Sequence, residues 1–103
     1  MNAEQKNFIE VVGAIASADM KNSGVAASLT TAQAILESAW GKSELTKTGN
    51  ALFGIKATKD WKGKTLTRKT TEYEGGKKVQ VEAEFRAYDT WEDSVKDHSA
   101  FLK

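Results

Sequence analysis

The chain has 103 residues, a length that suits one domain with a thin core. It is 40% hydrophobic and 28% charged with a net charge of +1, an ordinary globular balance with no field strong enough to select a nucleic acid. The absence of cysteine excludes disulfides and thiol chemistry, a lone histidine excludes a histidine-rich metal centre, and no apolar run is long enough to span a membrane.

The N-terminus, Met-Asn-Ala-Glu-Gln-Lys-Asn, is polar and lacks the apolar core of a signal peptide. The expectation is export by another route, or a domain excised from its leader. A first helix is predicted from about Ala3 to Met20, with Phe8, Val11, Val12 and Ile15 as its buried stripe. Lys21-Asn22-Ser23-Gly24 breaks it. A second helix is predicted from Ser28 or Thr30, where Thr30 and Gln33 resemble a capping box. Its predicted core face is Ala32, Ile35, Leu36 and Ala39, and Gly41 is a suitable C-terminal cap. Gln33, Glu37 and Trp40 line a neighbouring strip.

Glu37 therefore stands beside an apolar face, next to a tryptophan and just before a helix stop. Burial there would disfavour its charged form and keep the carboxyl protonated, the state a general acid needs. A solvated surface glutamate is the competing reading. Trp40 reads equally as a ligand platform and as a core residue closing the helix end.

Lys42 to Thr48 suggests a short helical turn. Gly49-Asn50-Ala51-Leu52-Phe53-Gly54-Ile55-Lys56 reads as an ordered loop or short strand packed under a site. Trp61 lies in a polar loop, either as an exposed ligand platform or as a cover for the base of a hairpin. From Lys64 to Tyr88 the period becomes two, with Val79, Val81, Ala83 and Phe85 alternating with polar residues. Glu74-Gly75-Gly76-Lys77 signals a hairpin turn. A two-residue Gly75-Gly76 loop sets Glu72 opposite Val79, on the face shared with Val81, while Glu82 and Glu84 take the other face. A one-residue slip reverses this assignment. Lys59, Lys62, Lys64, Arg68, Lys69, Lys77 and Lys78 concentrate positive charge here, either as a solvated hairpin surface or as an attraction for an anionic polymer. A last helix is predicted from Asp89 or Thr90, with Trp91, Val95, His98 and Leu102 as its stripe. His98 reads as a packed or capping residue, and Trp91 and Phe85 as core.

Two helices, a loop, a hairpin and a helix make an α+β fold whose helical body and hairpin lobe form a cleft. Glu37 and Glu72 would face each other across it.

Four segments resemble the bacterial glucosaminidases of glycoside hydrolase family 73, which include flagellar and autolytic wall hydrolases and phage lysins. They are Ser28 to Ser43 with its Leu36-Glu37-Ser38 centre, Asn50 to Lys56, Thr71-Glu72-Tyr73, and Phe85 to Trp91 followed by Ser94 and Asp97-His98. The resemblance implies a lysozyme-like fold and hydrolysis of peptidoglycan at the β-1,4 bond after N-acetylglucosamine. It maps the catalytic acid to Glu37 and the second acid to Glu72, with Glu74, Glu82 and Glu84 as fallbacks. Family members usually continue beyond the last helix here, so the expectation is a single, C-terminally truncated glucosaminidase domain over residues 1–103.

The expected mechanism has Glu37 protonating the leaving oxygen from a site walled by Leu36, Trp40 and Phe53. Glu72 then acts as nucleophile, as a base activating water, or as an orienter if the substrate's N-acetyl oxygen attacks. A carboxylate separation of about 5–5.5 Å would imply the first and about 6.5–9.5 Å the second. Trp40, Asn50, Phe53 and Tyr73 are the expected substrate-binding residues. The acid chemistry calls for no metal and no cofactor. The partners expected are glycan strands of the cell wall, with no nucleic acid and no membrane insertion. A lytic transglycosylase, needing one acid, and a non-catalytic wall-binding module are the competing classes.

Overall fold

The structure is a computed structural model that describes residues 1–103. The order of elements is α1 (Ala3–Ser23), α2 (Ala27–Ser38), α3 (Glu44–Gly49), β1 (Lys64–Glu74), β2 (Lys77–Ala87) and α4 (Trp91–Leu102). Helices α1, α2 and α4 pack together, and the antiparallel β1–β2 hairpin projects from them over α3. This is the α+β arrangement expected from the sequence. No helix is long and apolar enough to cross a membrane.

Asn2 caps α1 through a full capping box with Gln5, and Gly24 closes it in the left-handed conformation. The predicted stripe is rotated. Phe8, Val12 and Ala16 are buried, whereas Val11 is exposed and Ile15 only partly covered. The second helix departs further. It starts at Ala27, Thr30 is buried inside it, and no side chain caps it. Its buried line is Thr30, Ala34 and Ser38 rather than Ala32, Leu36 and Ala39, and Leu36 is 80% exposed. The physical reason is close helix packing. Alanine, serine and threonine let α1 approach α2, and they leave the larger Leu36 outside. Helix α4 likewise buries Ser94, Val95, His98 and Ser99 while Phe101 and Leu102 stay exposed, so the predicted Leu102 contact is not made.

The core is Phe8, Val12, Ala34, Leu52, Phe53 and Val95, with Ile15, Ile35, Trp40, Ile55 and Trp91 packed against it. Fully burying such a side chain stabilises by about 1.5–3 kcal/mol. Buried hydroxyls supply cross-links between elements. Ser94 Oγ accepts from the Leu52 amide, and Ser99 Oγ donates to Asp19 on α1. These bonds anchor the 51–54 segment and join α4 to α1.

The hairpin has the register expected from its Gly75-Gly76 turn. Glu74 pairs with Lys77 and Glu72 with Val79. Leu66, Arg68, Thr70 and Glu72 therefore share the more covered face with Val79, Val81, Ala83 and Phe85. Residues 55–57 run along the free edge of β2. Arg86 N donates to Ile55 O, Ala57 N donates to Glu84 O, and Lys56 bridges Phe85. Six residues of β1 separate Glu72 from Leu66, the partner of Phe85. A straight strand would carry Glu72 about 20 Å away along that line. Lys56 Nζ nevertheless meets Glu72 Oε1 at 2.7 Å. The ladder must coil back toward the helical body for that contact to exist.

Candidate active site

Glu37 lies in the last turn of α2. The helix ends at once after it, because Ala39 (φ 51°), Trp40 (φ 60°) and Gly41 (φ 81°) are all left-handed. For Ala39 and Trp40 this conformation costs roughly 1–2 kcal/mol each. Ser38 is the hub that holds the turn. Its Oγ donates to Ala34 O and accepts from Gly41 N, and its carbonyl accepts from Ser43 N. Trp40 packs its ring against Phe8, centroids 6.1 Å apart and nearly perpendicular. The predicted cap at Gly41 is thus displaced to Ala39, and Gly41 is the third residue of the turn.

The expected enclosure of Glu37 is absent. Leu36 points into solvent and Glu37 is itself exposed. The Gly54 backbone lies beside its carboxyl. A methyl group placed on Gly54 would meet Glu37 Oε2 at 3.9 Å. Two residues on, Lys56 forms the ion pair with Glu72. The three-residue segment Gly54-Ile55-Lys56 therefore borders both acids, one at each end. Lys56 was legible only as part of a motif. Its role depends on the coiling of the hairpin, which leaves no local signal in the sequence.

The four expected substrate-binding residues separate. Trp40 follows Glu37 in the left-handed turn and is half-buried, with its ring against Phe8. Phe53 is 7% exposed and stacked on His98 at 3.8 Å, which leaves its ring no free face for a sugar. Asn50 closes α3 with φ 51°, and its side-chain amide donates to Tyr88 O and Asp89 O. Its donors are spent on tying the hairpin base to α3. Tyr73 is 68% exposed but alternates with Glu72, so it stands on the other face of the sheet. Glu82 and Glu84 share that outer face, and Glu74 lies beside the turn.

Trp61 is a cover for the hairpin base. Its indole N–H donates to Lys64 O, the Arg86 guanidinium sits 4.7 Å over its ring, and Tyr88 meets its edge. Arg86 pairs with both oxygens of Asp97, and the Tyr88 hydroxyl donates to the same carboxylate at 2.6 Å. Burial, then the Asp97 hydrogen bond and charge, push the Tyr88 phenol well above its usual range, against a smaller opposing effect of Arg86. Two concavities lie away from Glu37, one between the Trp61 loop and α4 and one between α1 and α4. The surface at Glu37 is open, a shape suited to a polymer crossing it.

Known proteins share this fold. The sequence profile of the Glucosaminidase family, described as mannosyl-glycoprotein endo-beta-N-acetylglucosaminidase, matches residues 13–103. The chain is 43% identical over 96 residues to exo-glucosaminidase LytG of Bacillus subtilis, covering 93% of this chain and 33% of that protein. It is 35% identical over 106 residues to peptidoglycan hydrolase FlgJ of Salmonella typhimurium, covering 99% of this chain and 34% of that protein. It thus spans about a third of the length of these curated relatives. The catalytic domain of the autolysin Auto from Listeria monocytogenes superposes with a TM-score of 0.88 at 36% identity, over 99% of this chain and 58% of that one. A C-terminally truncated glycoside hydrolase domain of Salmonella typhimurium FlgJ gives 0.76 at 37% identity, over 95% and 68%. With the profile matched over most of its length and the fold shared with these catalytic domains, the chain belongs to the glucosaminidase family, glycoside hydrolase family 73.

Proposed function

We propose that this protein is a peptidoglycan hydrolase acting on the bacterial cell wall. Its reaction is that of an endo-β-N-acetylglucosaminidase, cleaving the β-1,4 bond between N-acetylglucosamine and N-acetylmuramic acid. The observation that carries the reading is the Gly54-Ile55-Lys56 segment with an acid at each end. Two carboxyl groups bordering one short piece of chain suit a glycosidase, which needs one on either side of a scissile bond. The relatives named as peptidoglycan hydrolase and glucosaminidase support the substrate class.

Glu37 donates its proton to the departing sugar oxygen. It is open to solvent in the free protein, so the water exclusion that favours a neutral carboxyl arrives with the glycan strand. Glu72, paired with Lys56, either steadies positive charge at the anomeric carbon or activates water. Trp40 supplies an apolar surface to the sugar next to Glu37. The openness of the surface around Glu37 supports cleavage inside a strand.

The test is digestion of purified peptidoglycan, borohydride reduction and mass spectrometry of the released sugars, with wild type and Glu37→Gln side by side. Reduced N-acetylglucosamine ends from oligomeric products, lost in the mutant, are expected. Free N-acetylglucosamine alone would make the enzyme an exo-hydrolase. Anhydro-muramic ends would make it a transglycosylase. Binding without products from either protein would make it a wall-binding module.

A further inference from the structure

His98 is 5% exposed and stands where three elements meet. Its imidazole stacks on Phe53, centroids 3.8 Å apart with 13° between planes. Its Nε2 lies 2.7 Å from Gln33 Oε1. Its Nδ1 is buried and has no partner. One tautomer fits these contacts. With the proton on Nε2, the ring donates to Gln33 and leaves Nδ1 as a bare acceptor. The other tautomer would set Nε2 and Gln33 Oε1 against each other as two acceptors, and would bury an unpaired N–H. The cationic ring adds the same unpaired donor together with a buried charge.

Both partners lead to Glu37. Gln33 is one helical turn before it on the same strip of α2. Phe53 is the residue before Gly54, where an added methyl group would meet the Glu37 carboxyl at 3.9 Å. The imidazole thus holds the floor beneath the acid and the wall beside it, reaching from α4 to both. Leu52 N donating to Ser94 Oγ provides the second α4 anchor of the same wall. A core position whose only task was to fill space would be met by an apolar side chain without an orphan nitrogen, because an unsatisfied buried polar group is destabilising.

We propose that His98 is a positioning residue for Glu37, a neutral clamp that sets α2 against the Phe53-Gly54 segment and so fixes where the acid meets the glycosidic oxygen. The proposal rests on Glu37 being the catalytic acid. It acts on the height of the barrier and leaves sugar contacts alone. A displacement of about 1 Å at a reacting group costs up to roughly 100-fold in rate.

The experiment compares His98→Phe, which keeps a ring on Phe53 but cannot bond Gln33, with His98→Gln, whose side-chain amide reaches toward the Nε2 position. Hydrolysis of soluble glycan oligomers is measured for each, alone and combined with Glu37→Gln. His98→Phe is expected to lower kcat about 10–100-fold with KM nearly unchanged. His98→Gln is expected to recover most of that loss even if it unfolds at a lower temperature. In the Glu37→Gln background, His98→Phe should change the residual rate no further. An unchanged kcat in His98→Phe, while Glu37→Gln is inactive, overturns the positioning role and leaves the acid assignment intact. So does a loss in both His98 variants that tracks only their thermal stability. Full activity in Glu37→Gln overturns the acid assignment and this proposal with it.

Discussion

Replacing Gly41 by alanine tests how the turn beside Glu37 is held. Gly41 has φ +81°, and a Cβ there would lie 2.9 Å from Phe8 Cε1, 3.1 Å from Phe8 Cδ1 and 3.3 Å from Trp91 Cη2. The conformational cost for a residue with a Cβ is about 1–2 kcal/mol. Phe8 cannot step aside, because it is buried and wedged edge-to-face between Trp40 and Trp91. Forcing an extra carbon against it adds about 1–3 kcal/mol. The unfolded chain loses some freedom, returning about 0.4–1 kcal/mol. The net loss is on the order of 1–5 kcal/mol, centred near 3. Gly24 is the internal control. It has nearly the same φ, +76°, and open space around its Cβ position, so Gly24→Ala should cost only about 1 kcal/mol. Thermal and urea unfolding of both variants separates the terms. At roughly 4–8 °C per kcal/mol, the expected falls in Tm are about 12–24 °C for Gly41→Ala and about 4–8 °C for Gly24→Ala. Equal losses would mean that the Phe8 contact contributes nothing and that backbone conformation alone fixes the turn.

The same turn should respond with the opposite sign at Ala39, which is exposed and left-handed at φ 51°. Ala39→Gly is expected to gain a few tenths to about 1 kcal/mol in urea unfolding, and a loss of about 1 kcal/mol would refute the strain. Lys56→Met should leave stability within about 1 kcal/mol, because the Lys56–Glu72 pair is exposed, yet lower the hydrolysis rate at least about tenfold by freeing Glu72. An unchanged rate would show that the pair is incidental. For Tyr88, a phenol raised in the folded state loses protons first when unfolded. Its contribution is therefore complete below the unfolded value of about 10 and is lost as pH rises beyond it. Wild type should lose stability between about pH 9 and 11 more steeply than Tyr88→Phe, and parallel slopes in chemical denaturation would sink the assignment.

Where the signal was local, the sequence was readable. The Gly75-Gly76 turn set the hairpin register, and with it the face of Glu72, because two-residue turns leave the ladder no freedom. Glu37 stood out because a helix stop follows it. The buried face of α2 was not readable, since hydropathy favours Leu36 whereas the packing selects Thr30, Ala34 and Ser38 for their size. Phe53 looked like a sugar platform for a similar reason. An aromatic residue between small ones can face either way, and only the arrival of His98 from α4 decides it. Lys56 and Ser38 carry roles that arise from coiling and from a left-handed turn, neither of which has a composition of its own.

The abrupt end of α2 has a geometric reason. In a helix the side chains at i+3 and i+4 lean back over residue i. Had α2 continued one more turn, the residues at 40 and 41 would have been carried over Glu37. Three left-handed residues swing Trp40 inward onto Phe8 and turn the chain away through Lys42 instead. The acid keeps its helix beneath it and nothing above it. The strain of Ala39 and Trp40 is tolerated because Ser38, Phe8 and Trp91 over-determine the turn, which is how sparsely populated backbone persists at working sites. On this reading the turn, the His98 clamp and the Gly54 wall serve one end. Each fixes Glu37 from the protein side while leaving its far side to the glycan, so mutations in any of the three should move kcat before they move KM.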